Sequence, residues 1–223
     1  MFDFMSQYQK NFWTKIMFPA FSSTFQMLVI TTLVGTVLGF AVAVALLVTG
    51  KDGIHPNKVI YQVLSFVVNV IRSFPFVILM VFLMPFTKHV MGTSIGVKAA
   101  VVPLTVAATA FIAKLIEGAM KEVDKSLIEA MRSFGISDRQ IILKVILSEA
   151  TPAIVSGIVL ATISILGSTA MAGTMGAGGI GAVAITYGYQ SFNDEVMYMT
   201  ALILVILVQA IQMIGDWVYR KMK

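Results

Sequence analysis

Five apolar stretches, approximately residues 25–48, 59–85, 97–116, 154–172 and 196–218, take up most of this sequence. A bilayer core about 30 Å thick is crossed by about 20 apolar residues in helical form. Within hydrocarbon, a helix is the only single segment that satisfies its own backbone polar groups. The expected fold class is therefore all-α integral membrane, with five transmembrane helices. Charged residues make up 12 % and hydrophobic residues 58 % of the chain, a charge content about half that of an ordinary soluble domain. No room is left for a soluble catalytic domain. With no cysteine, disulfides, thiolate chemistry and Cys-based metal sites are excluded. No catalytic residue, metal site or cofactor is assigned to this chain.

Five spans put the two termini on opposite faces, and the Lys/Arg bias says which face is which. Eleven Lys/Arg lie on one side: Lys51, Lys58, six around the central polar stretch, and the tail Arg220, Lys221 and Lys223. Four lie on the other: Lys10, Lys15, Lys88 and Lys98. The richer side is expected inside, with the N-terminus outside and the C-terminus in the cytosol. The net charge of +5 thus reflects topology and not nucleic-acid binding. Residues 1–20 lack the pattern of a signal peptide. Met5, Tyr8 and Phe12 recur there at helical spacing, which predicts a helix lying in the outer interface.

Between spans three and four runs a polar stretch, residues 117–150, read as a cytosolic helix–Gly–helix elbow. Ser126 to Glu129 and Ser137 to Gln140 each have capping-box spacing, in which hydroxyl and carbonyl oxygens satisfy free backbone donors at a helix start. Gly135 falls between them, where a left-handed residue ends a helix. Leu127, Met131 and Phe134 are expected on one apolar face, and Ile141, Ile142 and Val145 on the next.

Within the spans, Gly35 and Gly39 form a small-xxx-small pair suited to close helix approach. Arg72 lies about 13 residues into the second span, where a cation is costly unless it faces a cavity or partner; snorkelling to the surface is the competing explanation. Pro75 is expected to kink that helix. Asn69, Arg72 and Pro75 are therefore pathway or gate candidates, with Gly176, Gly178 and Gly179. Residues 176–181 fit G-x-G-x-x-G in letters, but a membrane helix precedes them instead of the strand that a dinucleotide site requires. They are expected to form an irregular, flexible outer segment beside a water-filled pathway. Gly92, Ser94 and Gly96 match a nucleophile elbow in spacing only, without its strand–turn–helix context.

Glu129-Ala130-Met131, three residues, Gly135, nine residues and Val145-Ile146-Leu147 resemble the EAA loop of ABC importer permeases. Met131, Val145 and Ser148 stand where that pattern has a small residue, Ile and Pro. Residues 69–76, 85–87, 92–96, 102–105, 176–181 and 215–216 extend the likeness to the permease family of D-/L-methionine ABC importers, over roughly 22–221. The resemblance implies a type-1 transmembrane domain over 21–219 that pairs with a second copy of itself in the bacterial inner membrane. It also implies two ATP-binding cassette subunits below and an extracytoplasmic methionine-binding protein above. Ser126, Glu129, Ala130, Met131, Phe134, Gly135 and Leu147 would then couple to the ATPase.

The residues themselves agree that energy comes from elsewhere. The chain has no G-x-x-x-x-G-K-[ST] loop to cradle nucleotide phosphates, and no acid within a span for proton coupling. The expected function is the permease subunit of an ATP-driven importer for methionine. The alternatives are a permease for another small amino acid or short dipeptide, and a secondary carrier working without an ATPase.

Overall fold

The computed structural model describes residues 11–51, 53 and 55–222. The expectations resting on Met5, Tyr8 and Lys10 lie outside these. Among the described residues, all regular structure is helical. Helices α1 (Trp13–Thr49), α5 (Val97–Lys121), α7 (Asp138–Ala177) and α9 (Asp194–Met222) are each long and apolar enough to cross a membrane. Helices α2 (Lys58–Ser73) and α3 (Phe76–Phe82) are apolar and long enough only when taken together, bent by 109°, as a broken span or a re-entrant loop. Between these come α4 (Met84–Met91), α6 (Lys125–Ser133) and α8 (Ile180–Tyr189).

Small residues set how closely the long helices approach. A Cβ added at Gly35 would stand 2.9 Å from the Ala108 Cβ, and one at Gly39 would stand 3.0 Å from Ile112 Cγ2. The predicted glycine pair thus seats α1 on α5, as lateral packing between membrane helices favours. Gly157 does the same for α7 against Leu115 of α5, and Gly215 brings α9 onto Val159 of α7. The core between them is built from Ala43, Ala108, Ile112, Ile116, Met120, Ile146, Ala150 and Ile165.

Residues 13–20 belong to the same helix as the first span. They continue the axis of α1, because Met17 and Ala20 are buried against Val183 of α8 with Val196 of α9 alongside. Wider turns over Trp13–Met17 precede Pro19, whose ring otherwise clashes with the carbonyl four residues back.

The second span departs furthest from a straight helix. Pro75 supplies no N–H, and the residue before a proline is pushed out of the helical region. Both residues are extended here, Phe74 at φ −72°, ψ 130° and Pro75 at φ −56°, ψ 132°. Two extended residues in a row turn a kink into a break. The rings of Phe74 and Phe82 stack across it at 5.7 Å.

The second half of the polar stretch is not a separate short helix. It is the first part of α7, a helix of 40 residues that passes through Pro152 without ending.

Candidate functional site

Three groups of predicted site residues occupy three heights of the bundle. The first is the elbow between α5 and α7. Helix α6 starts two residues earlier than its capping-box spacing predicts, because Asp124 accepts the Ser126 N–H at 2.8 Å. Asp is as good a cap as Ser, and the earlier start leaves Ser126 inside the first turn. Glu129 therefore caps nothing. Its exposed carboxylate belongs to a cavity of about 670 Å³, also lined by Lys51, Tyr61, Lys121 and Arg132. The Ser126 bonds, to its backbone N–H first and its hydroxyl second, hold the Asp124 carboxyl below its ordinary pKa.

At the other end of α6, Gly135 has φ +75°. Its N–H bonds to the Arg132 carbonyl at 2.9 Å, and the Ile136 N–H reaches the Met131 carbonyl at 3.3 Å. This paired closure uses the last free carbonyls of the helix, and a left-handed residue is what permits it. The second cap is formed as its spacing predicts: the Gln140 side-chain oxygen accepts from the Ser137 N–H at 3.3 Å and from its hydroxyl at 3.0 Å.

Packing sorts the elbow into two faces. Met131, Ile128, Ile136 and Leu147 lie against the core around Ile141 and Ile146. Ser126, Glu129 and Ala130 face out, and so does Phe134, at 81 % exposure. Phe134 does not share the buried face of Met131. It follows the last helical turn, where the chain has begun to swing away.

Above the elbow, Glu117 of α5 is buried at 2 % exposure between Lys114 at 2.8 Å and Lys121 at 2.6 Å. The Tyr61 hydroxyl donates to it at 3.4 Å, which ties the start of α2 to the end of α5. The i−3 and i+4 spacing of the two lysines around Glu117 was the available sequence signal for this cluster.

The second group, Asn69, Arg72 and Pro75, sits at the α2–α3 break. Gln62, Ser65, Asn69, Arg72 and Ser73 recur at helical spacing and make one polar stripe on α2. Asn69 donates to Ser65 Oγ at 3.5 Å, and Ser73 to the Asn69 carbonyl at 2.8 Å. Arg72 lines a cavity of about 230 Å³ with Phe74, Phe76, Leu104, Phe111, Ser164 and Ser168. Its guanidinium lies 6.0 Å from the Phe111 ring centroid.

The third group, Gly176, Gly178 and Gly179, ends α7 at the opposite end from the elbow. The helix does break there, but the segment is pinned and not loose. Thr24 Oγ1 of α1 accepts the Ile180 N–H at 2.9 Å, and the Gly96 N–H reaches the Gly176 carbonyl at 3.1 Å. Ala177, Ile180 and Gly181 are buried. Thr24 is the partner that no local pattern indicated. Gly176 lies eight residues beyond Ser168, about 12 Å along a helix, so the second and third groups are separate sites.

Residues 35–223 match the protein family described as binding-protein-dependent transport system inner membrane component. The chain is 44 % identical over 198 residues to the probable D-methionine transport system permease protein MetI of Vibrio cholerae, covering 89 % of this chain and 88 % of that protein. To the methionine import system permease protein MetP of Bacillus subtilis it is 43 % identical over 171 residues, 77 % of each. The solved inward-facing MetNI methionine ABC transporter gives a TM-score of 0.91 at 41 % identity, over 95 % of this chain and 98 % of that one. An amino acid ABC transporter crystallised with histidines shares the fold, with a TM-score of 0.77 at 21 % identity over 99 % and 98 % of the two chains.

Proposed function

Since the chain belongs to the family of binding-protein-dependent transport system inner membrane components, we propose that it is the membrane-spanning permease of an ATP-driven methionine importer. The observation that carries this reading is near-full-length likeness to methionine permeases, in sequence and in backbone arrangement. The chain is a multi-pass membrane protein and a transport component, not an enzyme. ATP is hydrolysed on a separate subunit.

The elbow is where that subunit grips. Its inner face is fixed by Met131, Ile136 and Leu147, while its outer face presents Glu129, Ala130 and Phe134. An exposed aromatic residue such as Phe134 is what docking surfaces are enriched in. Helix α7 runs from the second cap to the break at Met175 and Gly176, Asp138 to Thr174 being 37 residues or about 55 Å of helix. A push on the elbow therefore travels along one rigid element to the pinned glycine segment, which serves as the outer gate. Asn69, Arg72 and Pro75 line the pathway between.

The Lys/Arg asymmetry supports an elbow and C-terminus in the cytosol and an N-terminus outside. Likeness to the MetNI methionine ABC transporter supports an ATP-binding cassette partner, and the proposal places two such subunits beneath a pair of copies of this chain. The family description supports dependence on a binding protein, which the proposal makes an extracytoplasmic methionine-binding protein. Radiolabelled methionine uptake into vesicles tests the reading. Uptake is expected only with the co-expressed ATPase, and Gly135→Arg is expected to abolish it while insertion continues. Uptake on an ion gradient without the ATPase overturns the assignment, and wild-type uptake by Gly135→Arg overturns the role of the elbow.

A further inference from the structure

Among the described residues, Arg72 is a cation with no anion beside it. Phe111, beside its guanidinium, is ten residues from the end of α5 at Lys121, about 15 Å along the helix and well inside a core about 30 Å thick. Among the described residues it has no ion pair, and its recorded contact is the Phe111 ring. A charge at such depth needs a counter-charge or water. The chain offers no counter-charge: no Asp or Glu occurs in residues 4–51, 53–116, 150–193 or 196–215. A second copy brings none to this depth either, having the same sequence.

The surroundings of Arg72 have three chemical parts. The guanidinium presents a planar set of donors matched to a carboxylate. Across the same cavity, α7 presents Ser164 and Ser168. The Ser168 hydroxyl donates to the Ser164 carbonyl at 3.1 Å, so its oxygen keeps lone pairs for an incoming donor. The remaining wall is Phe74, Phe76, Leu79, Leu104 and Phe111. An anion acceptor, hydroxyl oxygens for a cation and an apolar wall match the three parts of an amino acid with an apolar side chain. The volume of about 230 Å³ suits one such molecule and no large one.

We propose that this cavity is a transit subsite in which Arg72 holds the α-carboxylate of a zwitterionic amino acid. Ser164 and Ser168 take its ammonium group, and the phenylalanines take its side chain. The break at Phe74 and Pro75 serves the site by ending α2 just past Arg72, which turns the aromatic wall across the end of the polar stripe. This deepens the permease reading and rests on it for the direction of transport, not for the binding chemistry.

A chain without cysteine makes a reporter thiol clean. Ala107 lines the cavity and takes no part in the polar contacts. In the complex with its ATPase in lipid nanodiscs, Ala107→Cys is labelled with a small water-soluble methanethiosulfonate. L-methionine at about ten times its Kd is expected to slow labelling about tenfold, the protection given by one occupied site. Methioninol, which keeps the amine and side chain but lacks the carboxylate, is expected to protect little. Arg72→Gln is expected to remove the protection by methionine, and Arg72→Lys to keep part of it. Equal protection by methioninol, protection that survives Arg72→Gln, or no protection by methionine overturns the subsite. If Arg72→Gln fails to assemble, the methionine–methioninol comparison on the otherwise unchanged chain decides. Uptake separates the two levels: import without protection sinks the subsite alone, and protection without import sinks the permease reading alone.

Discussion

Left-handed glycines lie in the turns just before and just after α7, but the two turns need glycine for different reasons. Gly135 has φ +75°, and a Cβ added there would meet nothing within 4 Å. Gly179 has φ +96°, and its added Cβ would stand 2.8 Å from Thr24 Oγ1 and 3.3 Å from the Met27 side chain. The elbow glycine is required for backbone conformation alone. The far glycine is required for conformation and for space, in a place where a buried hydroxyl already holds a backbone N–H. The elbow turn is thus an open joint with a fixed angle, whereas the far turn is a packed latch. Under the proposed function, the coupling elbow is the first kind of turn and the outer gate the second.

The largest expected effect is at the latch. Gly179→Ala combines left-handed strain with overpacking against a fixed neighbour, about 3 kcal/mol or more together, and should lower the melting temperature of the solubilised complex sharply. A melting temperature unchanged from wild type would dissolve the contrast. Thr24→Val comes next. It keeps the shape but leaves the buried Ile180 N–H unpaired, at about 1–3 kcal/mol. Its loss should appear as faster hydrogen exchange confined to the start of α8.

At the elbow, Gly135→Ala costs about 1–2 kcal/mol from conformation alone. Gly135→Asn should cost less, because Asn tolerates the left-handed region. A Gly135→Ala loss as large as that of Gly179→Ala in the same melting assay would mean that the elbow is packed after all.

The smallest effect belongs to Asp124. Its carboxyl is held below its ordinary pKa by the bonds from Ser126, so the cap is complete above the ordinary carboxylate range. It weakens as pH falls through the lowered folded value. Nothing should change near neutrality. Exchange at the Ser126 amide, corrected for intrinsic rate, should rise only in acid, and Asp124→Asn should remove that pH dependence while retaining an acceptor.

Some of this was legible residue by residue. The Ser137–Gln140 cap and the left-handed Gly135 follow from short-range chemistry, and both are formed. The Ser126–Glu129 pattern had the same spacing and failed, because Asp124 two residues earlier competes for the same N–H. A local rule cannot arbitrate between two local candidates of similar strength. Phe134 kept the right spacing for the buried face yet lies outside it, since periodicity holds only while the helix continues.

The sequence by itself determined the apolar stretches, the small residues where helices meet, and the positions of the turns. Each of these follows from hydrophobicity, composition or backbone preference, which act within a few residues. The tertiary structure alone decided that Thr24 latches the glycine segment and that Arg72 meets Ser164 and Ser168 across one cavity. Those pairings join residues about 90 or more positions apart in the chain. They are selected by how whole helices pack, a property that periodicity along one helix does not contain.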